Sequence, residues 1–197
     1  MKEVVTAEDV YAVASGGELH VSVGAVITAW AAEVAQTRGV RIVQAPRPAA
    51  VRTVALGADH GGFALKESLK PVLTRLGVAF KDLGTFSTEP VDYPDLALLV
   101  ARAVRKGEAS LGILVDGAGI GSAMAANKVP GVRAALCVDA AAAKNAREHN
   151  DANVLTLGAK FADPASIVET FLATSCSEER HRRRVAKIVA IEETFCR

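Results

Sequence analysis

Hydrophobic positions follow two regimes along this chain of 197 residues. From Arg52 onward, short apolar runs alternate with segments of helical spacing. The runs Thr53–Gly57, Val78–Leu83, Leu111–Val115, Val132–Val138 and Val154–Leu157 read as strands of a parallel sheet, buried on both faces. Between them, Phe63–Leu76 has helical periodicity with Leu65, Leu69, Val72, Leu73 and Leu76 inward, and Gly77 stops it. Tyr93–Lys106 is a helix with Pro94 in its first turn, and Ser122–Lys128, Ala140–Glu148 and Pro164–Thr174 follow. Ser175–Glu178 can cap a last helix running to about Phe195. The alternation predicts an α/β domain: an open, parallel, five-stranded sheet in three layers, Rossmann-like. Ligands of such sheets gather at the carboxyl ends of the strands.

Residues 1–43 read differently. Thr6-Ala-Glu-Asp can cap a helix through Val10, Val13 and Ala14, which Gly16-Gly17 ends. Leu19–Val23 alternates like a strand, and Ile27–Arg38 is helical with Trp30, Ala31 and Val34 on one side. Gly39 stops it, and Val40–Val43 is a second strand. This α+β appendage is small for an independent core. A Pro/Ala linker, 44–51, separates it from the domain at 52–197.

Half the residues are hydrophobic, enough for a sizeable core, and the formal net charge is +1. That balance gives no global case for nucleic acid or membrane as a partner. No apolar run reaches membrane-spanning length, and the N-terminus lacks a basic start and an apolar signal core. Cys137, Cys176 and Cys196 have no metal spacing and are expected to be reduced thiols of a cytoplasmic protein. Neither a metal site nor a cofactor is expected.

The candidate chemistry centres on Leu111–Lys128. A strand ends at Asp116, then Gly117-Ala118-Gly119-Ile120-Gly121 leads into an Ala-rich helix. A strand, a glycine-rich turn and a helix start together form an anion cradle of backbone N–H groups. A carboxylate at its lip could remove a proton while the cradle holds the resulting oxyanion. The glycine spacing matches neither a dinucleotide fingerprint nor a P-loop. The plain alternative is a tight turn whose Asp116 caps the following helix. Asp59 and His60 follow the first strand, so the fold brings them to the same edge as Asp116; Lys160 follows the fifth strand.

Several motifs then occur in order: Ala58-Asp-His-Gly-Gly-Phe, Asp92-Tyr-Pro, Gly117-Ala-Gly-Ile-Gly, Ala126-Asn-Lys, Gly131-Val-Arg-Ala, Arg147-Glu-His-Asn-Asp-Ala-Asn-Val-Leu and Arg180-His-Arg-Arg-Arg-Val. The set resembles type B ribose-5-phosphate isomerases and the related galactose-6-phosphate isomerase subunits, over roughly Thr53–Glu193. The resemblance implies a metal-free aldose–ketose isomerase of phosphorylated sugars, working through a cis-enediol. It implies that His149 opens the sugar ring, that Asp59, Tyr93 and Asn150 hold sugar hydroxyls, and that the amides of Gly117, Ala118, Gly119, Ile120 and Gly121 stabilise the enediolate. His60, Arg180 and Arg184 stand where the family binds phosphate. It further implies a homodimer with shared active sites, or a tetramer.

The chain departs from the family pattern. Asp116 stands where a Cys base is common, Ala118 where Thr or Ser is, and Ser122 where some members carry Glu. Lys160 replaces a usual Arg, keeping charge but losing the bidentate fork. Partial burial would raise the pKa of Asp116 and make it a better base. Asp116, Ala118 and Ser122 also suit a six-carbon aldose-6-phosphate substrate (galactose or allose 6-phosphate), and the lost Cys and Thr suit a silent binding or assembly module. Each residue has a bland reading too: His60 as a turn residue, His149 as a helix-end cation, Tyr93 as a core aromatic, Arg180 and Arg184 as a solvated face. Arg182 and Arg183 are expected to point away from those two arginines. Val5-Thr-Ala-Glu-Asp-Val, Leu19-His-Val, Gly24-Ala-Val-Ile-Thr and Gly39-Val-Arg-Ile-Val resemble a segment of bacterial microcompartment-associated enzymes, which implies recruitment to a microcompartment shell or cargo protein; the alternative is a dimerisation appendage.

Overall fold

The computed structural model describes residues 4–21, 24–44 and 53–195. The chain divides into two compact units, Met1–Val51 and Arg52–Arg197. Residues 45–51 of the expected linker lie outside the described residues, as do Val23 and Cys196.

The first unit runs β1 (Val4–Val5), α1 (Ala7–Tyr11), β2 (Glu18–Val21), β3 (Val26–Ile27), α2 (Ala29–Arg38) and β4 (Arg41–Gln44). β1 pairs with β3 and β2 with β4, both parallel. Val5, Ala7, Val10, Val21, Ala31, Val34, Ala35 and Val40 form its core. The Asp9 carboxylate fixes the start of α1 by accepting from both the N–H and the hydroxyl of Thr6, at 2.7 and 2.9 Å. Three expectations are corrected. α1 stops at Tyr11, short of Ala14. Ile27 belongs to a strand, because the Thr28 hydroxyl accepts from the Ala31 N–H and starts the helix after it. Trp30 faces outward, 63% exposed, and Ala35 takes the inward place.

The second unit runs β5 (Val54–Ala58), α3 (Phe63–Arg75), β6 (Phe80–Asp82), α4 (Tyr93–Arg105), β7 (Leu111–Asp116), α5 (Ile120–Ala126), β8 (Ala134–Leu136), α6 (Ala140–Asn150), β9 (Val154–Gly158), α7 (Pro164–Ala173) and α8 (Glu179–Phe195). The five strands form one parallel sheet in the order β6-β5-β7-β9-β8. Strand alternation divides the core between its faces. Val54, Leu56, Ile113, Val115, Leu155 and Leu157 pack with Leu69 and Leu73 of α3, Ala143 of α6 and Phe171 of α7. Ala55 and Leu114 pack with Ala97, Val100 and Ala101 of α4 and Ala126 of α5. The central strands β5, β7 and β9 are buried throughout.

The two edge strands are shorter than their apolar runs suggested, since each has a ladder on one side only. α3 ends at Arg75, which leaves Leu76 exposed. α5 starts two residues before the expected Ser122, and α6 runs on through His149 and Asn150. From β5 the chain goes one way to β6 and then returns past β5 to β7. The carboxyl ends of β5 and β7 are therefore the topological switch point, where open α/β sheets hold ligands. Among the described residues, no helix is long and apolar enough to cross a membrane.

Candidate functional site

β7 ends in Asp116, only 5% exposed, and its carboxylate turns back into the loop that follows. Oδ1 accepts from the N–H groups of Ala118, at 2.8 Å, and Gly119; Oδ2 accepts from the Ser122 N–H at 2.9 Å. Three backbone N–H groups of the loop thus hold its two oxygens. Gly119 makes this wrap possible with φ of +77°, a backbone angle that side-chain-bearing residues resist.

Two expectations are corrected. Ala118 and Gly119 turn their amides to Asp116, whereas Gly117, Ile120 and Gly121 do not. The expected rise in the Asp116 pKa is absent. Burial pushes it up, but the Ser122 hydroxyl and the N–H groups of Ser122, Gly119 and Ala118 outweigh burial and hold it below the ordinary carboxylate value. Asp116 thus caps α5 and clamps the loop.

Asp59 leaves β5 beside this loop, its N–H donating to the Val115 carbonyl at 3.1 Å. Its Oδ1 accepts from the Gly62 N–H at 2.8 Å. His60 is exposed, and its Nδ1 lies 3.2 Å from both the N–H and the carbonyl oxygen of Val91, tying the β5–α3 turn to the segment that leads into α4. Tyr93 opens α4, and its ring covers Gly121: a Cβ there would lie 2.6 Å from the ring. At 41% exposed, Tyr93 is a wall of the site and no core aromatic. Lys160 is exposed just past β9, at the same sheet edge. Asp59, His60, Tyr93, the glycine loop and Lys160 thus share the carboxyl edge.

The remaining candidates do not join them within one chain. α6 runs back across the sheet from the carboxyl end of β8 to the amino end of β9, so His149 and Asn150 lie at the amino edge. Asp151 ends the helix with φ of 46°, and Arg133 and Arg147 both grip it, at 3.1 and 2.8 Å. α8 packs on α6 there, stacking His181 on His149 with ring centroids 4.1 Å apart. Arg180 and Arg184 line a cleft of about 250 Å³ together with Arg183 and Lys187. That corrects the expectation for Arg183: positions 180, 183, 184 and 187 form one stripe on a helix, a signal the sequence did carry. Arg182 turns instead to the Cys176 carbonyl at 3.3 Å. The pairing of His181 with His149 is tertiary and has no sequence signal. Cys137 is a buried core thiol, its pKa pushed up to about 11 first by burial and then by the charge of Asp139.

Comparison with known proteins agrees in extent with the second unit. Ribose-5-phosphate isomerase B of Escherichia coli is 41% identical over 146 residues, which is 73% of this chain and 98% of that protein. The structure of ribose-5-phosphate isomerase B from Clostridium thermocellum superposes with a TM-score of 0.71 at 44% identity, covering 73% of this chain and 99% of the other. That of the type B ribose 5-phosphate isomerase from Trypanosoma brucei gives 0.69 at 49% identity, over 72% and 99%. Residues 54–188 match the Ribose/Galactose Isomerase family, and with this agreement of sequence and fold the chain belongs to that family.

Proposed function

We propose that this protein interconverts ribose 5-phosphate and ribulose 5-phosphate through a cis-enediol. The observation that carries the reading is the glycine cradle at the β5/β7 switch point, walled by Asp59, His60 and Tyr93, in a unit matching ribose-5-phosphate isomerases B over nearly their whole length. His149 donates the proton that opens the sugar ring. Tyr93 and Asn150 meet sugar hydroxyls, Asp59 lies beside the reacting end of the sugar, and the amides of Gly117, Ile120 and Gly121 hold the enediolate oxygen. His60, Arg180 and Arg184 take the phosphate, and Lys160 adds positive charge at the rim. The working form is a homodimer. What supports it is the division of these groups between the two edges of one sheet: a second copy must bring its amino-edge histidine and arginines to the first copy's cradle.

The test is turnover by the purified protein of ribose 5-phosphate beside allose and galactose 6-phosphates. Pentose turnover is expected; a preference for a hexose phosphate moves the substrate assignment to six carbons. A silent binding module is the second reading, favoured by the fully engaged carboxylate of Asp116. Tight sugar-phosphate binding without turnover of any sugar would establish it.

For the N-terminal unit we propose docking to a microcompartment shell or cargo protein. Support comes from its own core and from an exposed cleft between α1 and α2, lined by Tyr11, Trp30, Glu33, Thr37 and Arg38. Trp30→Ala should abolish co-purification with shell proteins and leave isomerase turnover unchanged; undiminished co-purification overturns the docking role.

A further inference from the structure

Isomerisation needs a base that can take the C2 proton, and both oxygens of Asp116 are already engaged by loop N–H groups, two on Oδ1 and one on Oδ2. The neighbouring strand end supplies a second carboxylate. Asp59 follows β5 as Asp116 ends β7, the two strands being paired up to Ala58 and Val115. The Asp59 backbone is pinned by its bond to the Val115 carbonyl, and Gly62 occupies Oδ1 alone. Its Oδ2 has no protein donor among the described residues. Gly61 lies between this carboxylate and the glycine loop. A Cβ built on Gly61 would lie 3.4 Å from Asp59 Oδ1 and 3.8 Å from the Gly117 N–H, an amide that Asp116 leaves unused.

From this juxtaposition we infer that Asp59 is the catalytic base of this isomerase, and that Asp116 is the clamp that shapes the cradle. The inference rests on the isomerase reading above. In the forward direction Oδ2 of Asp59 takes the proton from C2 of the open-chain aldose. The C2–H electron pair becomes the C1–C2 double bond, and the C1 carbonyl pair moves to O1 as the enediolate, next to the Gly117, Ile120 and Gly121 amides. The protonated Asp59 then returns its proton to C1. O2 becomes the ketone carbonyl, its proton passes to O1, and no external reactant is consumed. The carboxylate is fixed on one oxygen and open on the other, which is what repeated proton transfer between adjacent carbons requires.

Asp59→Asn is a clean variant, because its amide oxygen can still accept from Gly62 while the basic oxygen is gone. It is assayed with ribose 5-phosphate for kcat and for KM, and for binding of ribulose 5-phosphate by calorimetry. The expected result is a fall in kcat of about 10²–10⁴-fold, the usual worth of general base catalysis, with sugar-phosphate binding retained. A variant with unchanged kcat and raised KM overturns the assignment and leaves Asp59 a hydroxyl ligand. So does Asp116→Asn that loses turnover at unchanged Tm while Asp59→Asn keeps it. A wild type that binds ribulose 5-phosphate but does not interconvert it with ribose 5-phosphate is a different failure: it overturns the isomerase reading itself, and the assignment falls with it.

Discussion

His149 and His181 lie ring on ring, their planes 13° from parallel, and His181 is buried with neither ring nitrogen hydrogen-bonded. A buried, unpartnered imidazole resists protonation. Burial lowers the His181 pKa first, His149, Arg180 and Arg184 lower it further, and only Glu178, 3.7 Å away, pulls the other way. A neutral His181 therefore backs the ring that is proposed to donate the proton.

That arrangement makes stability depend on pH with a definite sign. The native state holds His181 below its ordinary value, so the unfolded chain binds more protons under about pH 6.5. The contribution is complete above that value and is lost as pH falls beneath it. His181→Phe keeps a ring of similar size and removes two unpartnered nitrogens. Between pH 7.5 and 5, Tm of the wild type should fall more steeply than Tm of the variant. Parallel curves would show that His181 is not the titrating group.

Tyr93 and Gly121 offer a test of the site wall. A methyl group on Gly121 would sit 2.6 Å from Cε2 and Cζ of Tyr93, so Gly121→Ala must push the ring off the cradle. Tyr93→Phe keeps the ring and removes the hydroxyl. With a hydrogen bond worth about 0.5–1.5 kcal/mol, Tyr93→Phe should raise KM by roughly 2–13-fold, and Gly121→Ala should raise it further. Steady-state kinetics on both variants checks the order; an unaffected Gly121→Ala enzyme would mean that Tyr93 does not shape the sugar site.

How much of this was legible depends on where the physics is local. β5, β7 and β9 were readable because strands buried on both faces are unbroken apolar runs. β1 and β3 were not, since two residues have no period. Trp30 misled because hydrophobicity alone does not say which way a helix faces; the start that Thr28 imposes on α2, and its packing on α1, do. Asp116 was visible as a carboxylate before three glycines. Its direction was not, because that depends on the left-handed turn at Gly119 and on amides several residues downstream. Which sheet edge each candidate reaches followed from strand order, a tertiary property. His149 and Arg180 share a motif set with Asp59 and still sit at the opposite edge.

Lys66 and Asp82 should respond unequally to mutation. Lys66 is 0% exposed, and its ammonium reaches both Asp82 oxygens and the Thr85 carbonyl at 2.7 Å, under the rings of Phe63 and Phe86. Removing one partner of a buried ion pair costs about 3–5 kcal/mol. Lys66→Met should fall at the lower end, about 3 kcal/mol, because Asp82 keeps Lys70 and the Gly84 N–H. Asp82→Asn takes the shared carboxylate from both Lys66 and Lys70, leaving the buried Lys66 ammonium only Glu67 at 3.1 Å and the Thr85 carbonyl, and should cost nearer 5 kcal/mol. Urea unfolding at neutral pH reads both; a reversed order would mean that Lys70, and not Lys66, dominates the network.

The Asp116 clamp makes a prediction that a free catalytic base would not. Both of its oxygens accept N–H groups of the loop, so the charge is part of the fold. Asp116→Asn turns one acceptor oxygen into an NH₂ group aimed at N–H donors, and unmade bonds to a charged group of this kind cost about 3 kcal/mol. Ser122→Ala removes only the hydroxyl and should cost about 1 kcal/mol. The deficit of Asp116→Asn must also depend on pH. The native carboxyl sits below its ordinary value of 3.8, so its contribution is complete above about pH 4 and is lost as pH falls through the native pKa. Unfolding measured at pH 7, 5, 4 and 3 should therefore give a constant gap between wild type and variant down to about pH 4 and a shrinking gap below it. A carboxylate that merely projects toward substrate would leave the two proteins equally stable at every pH, because its charge would have no partner to lose.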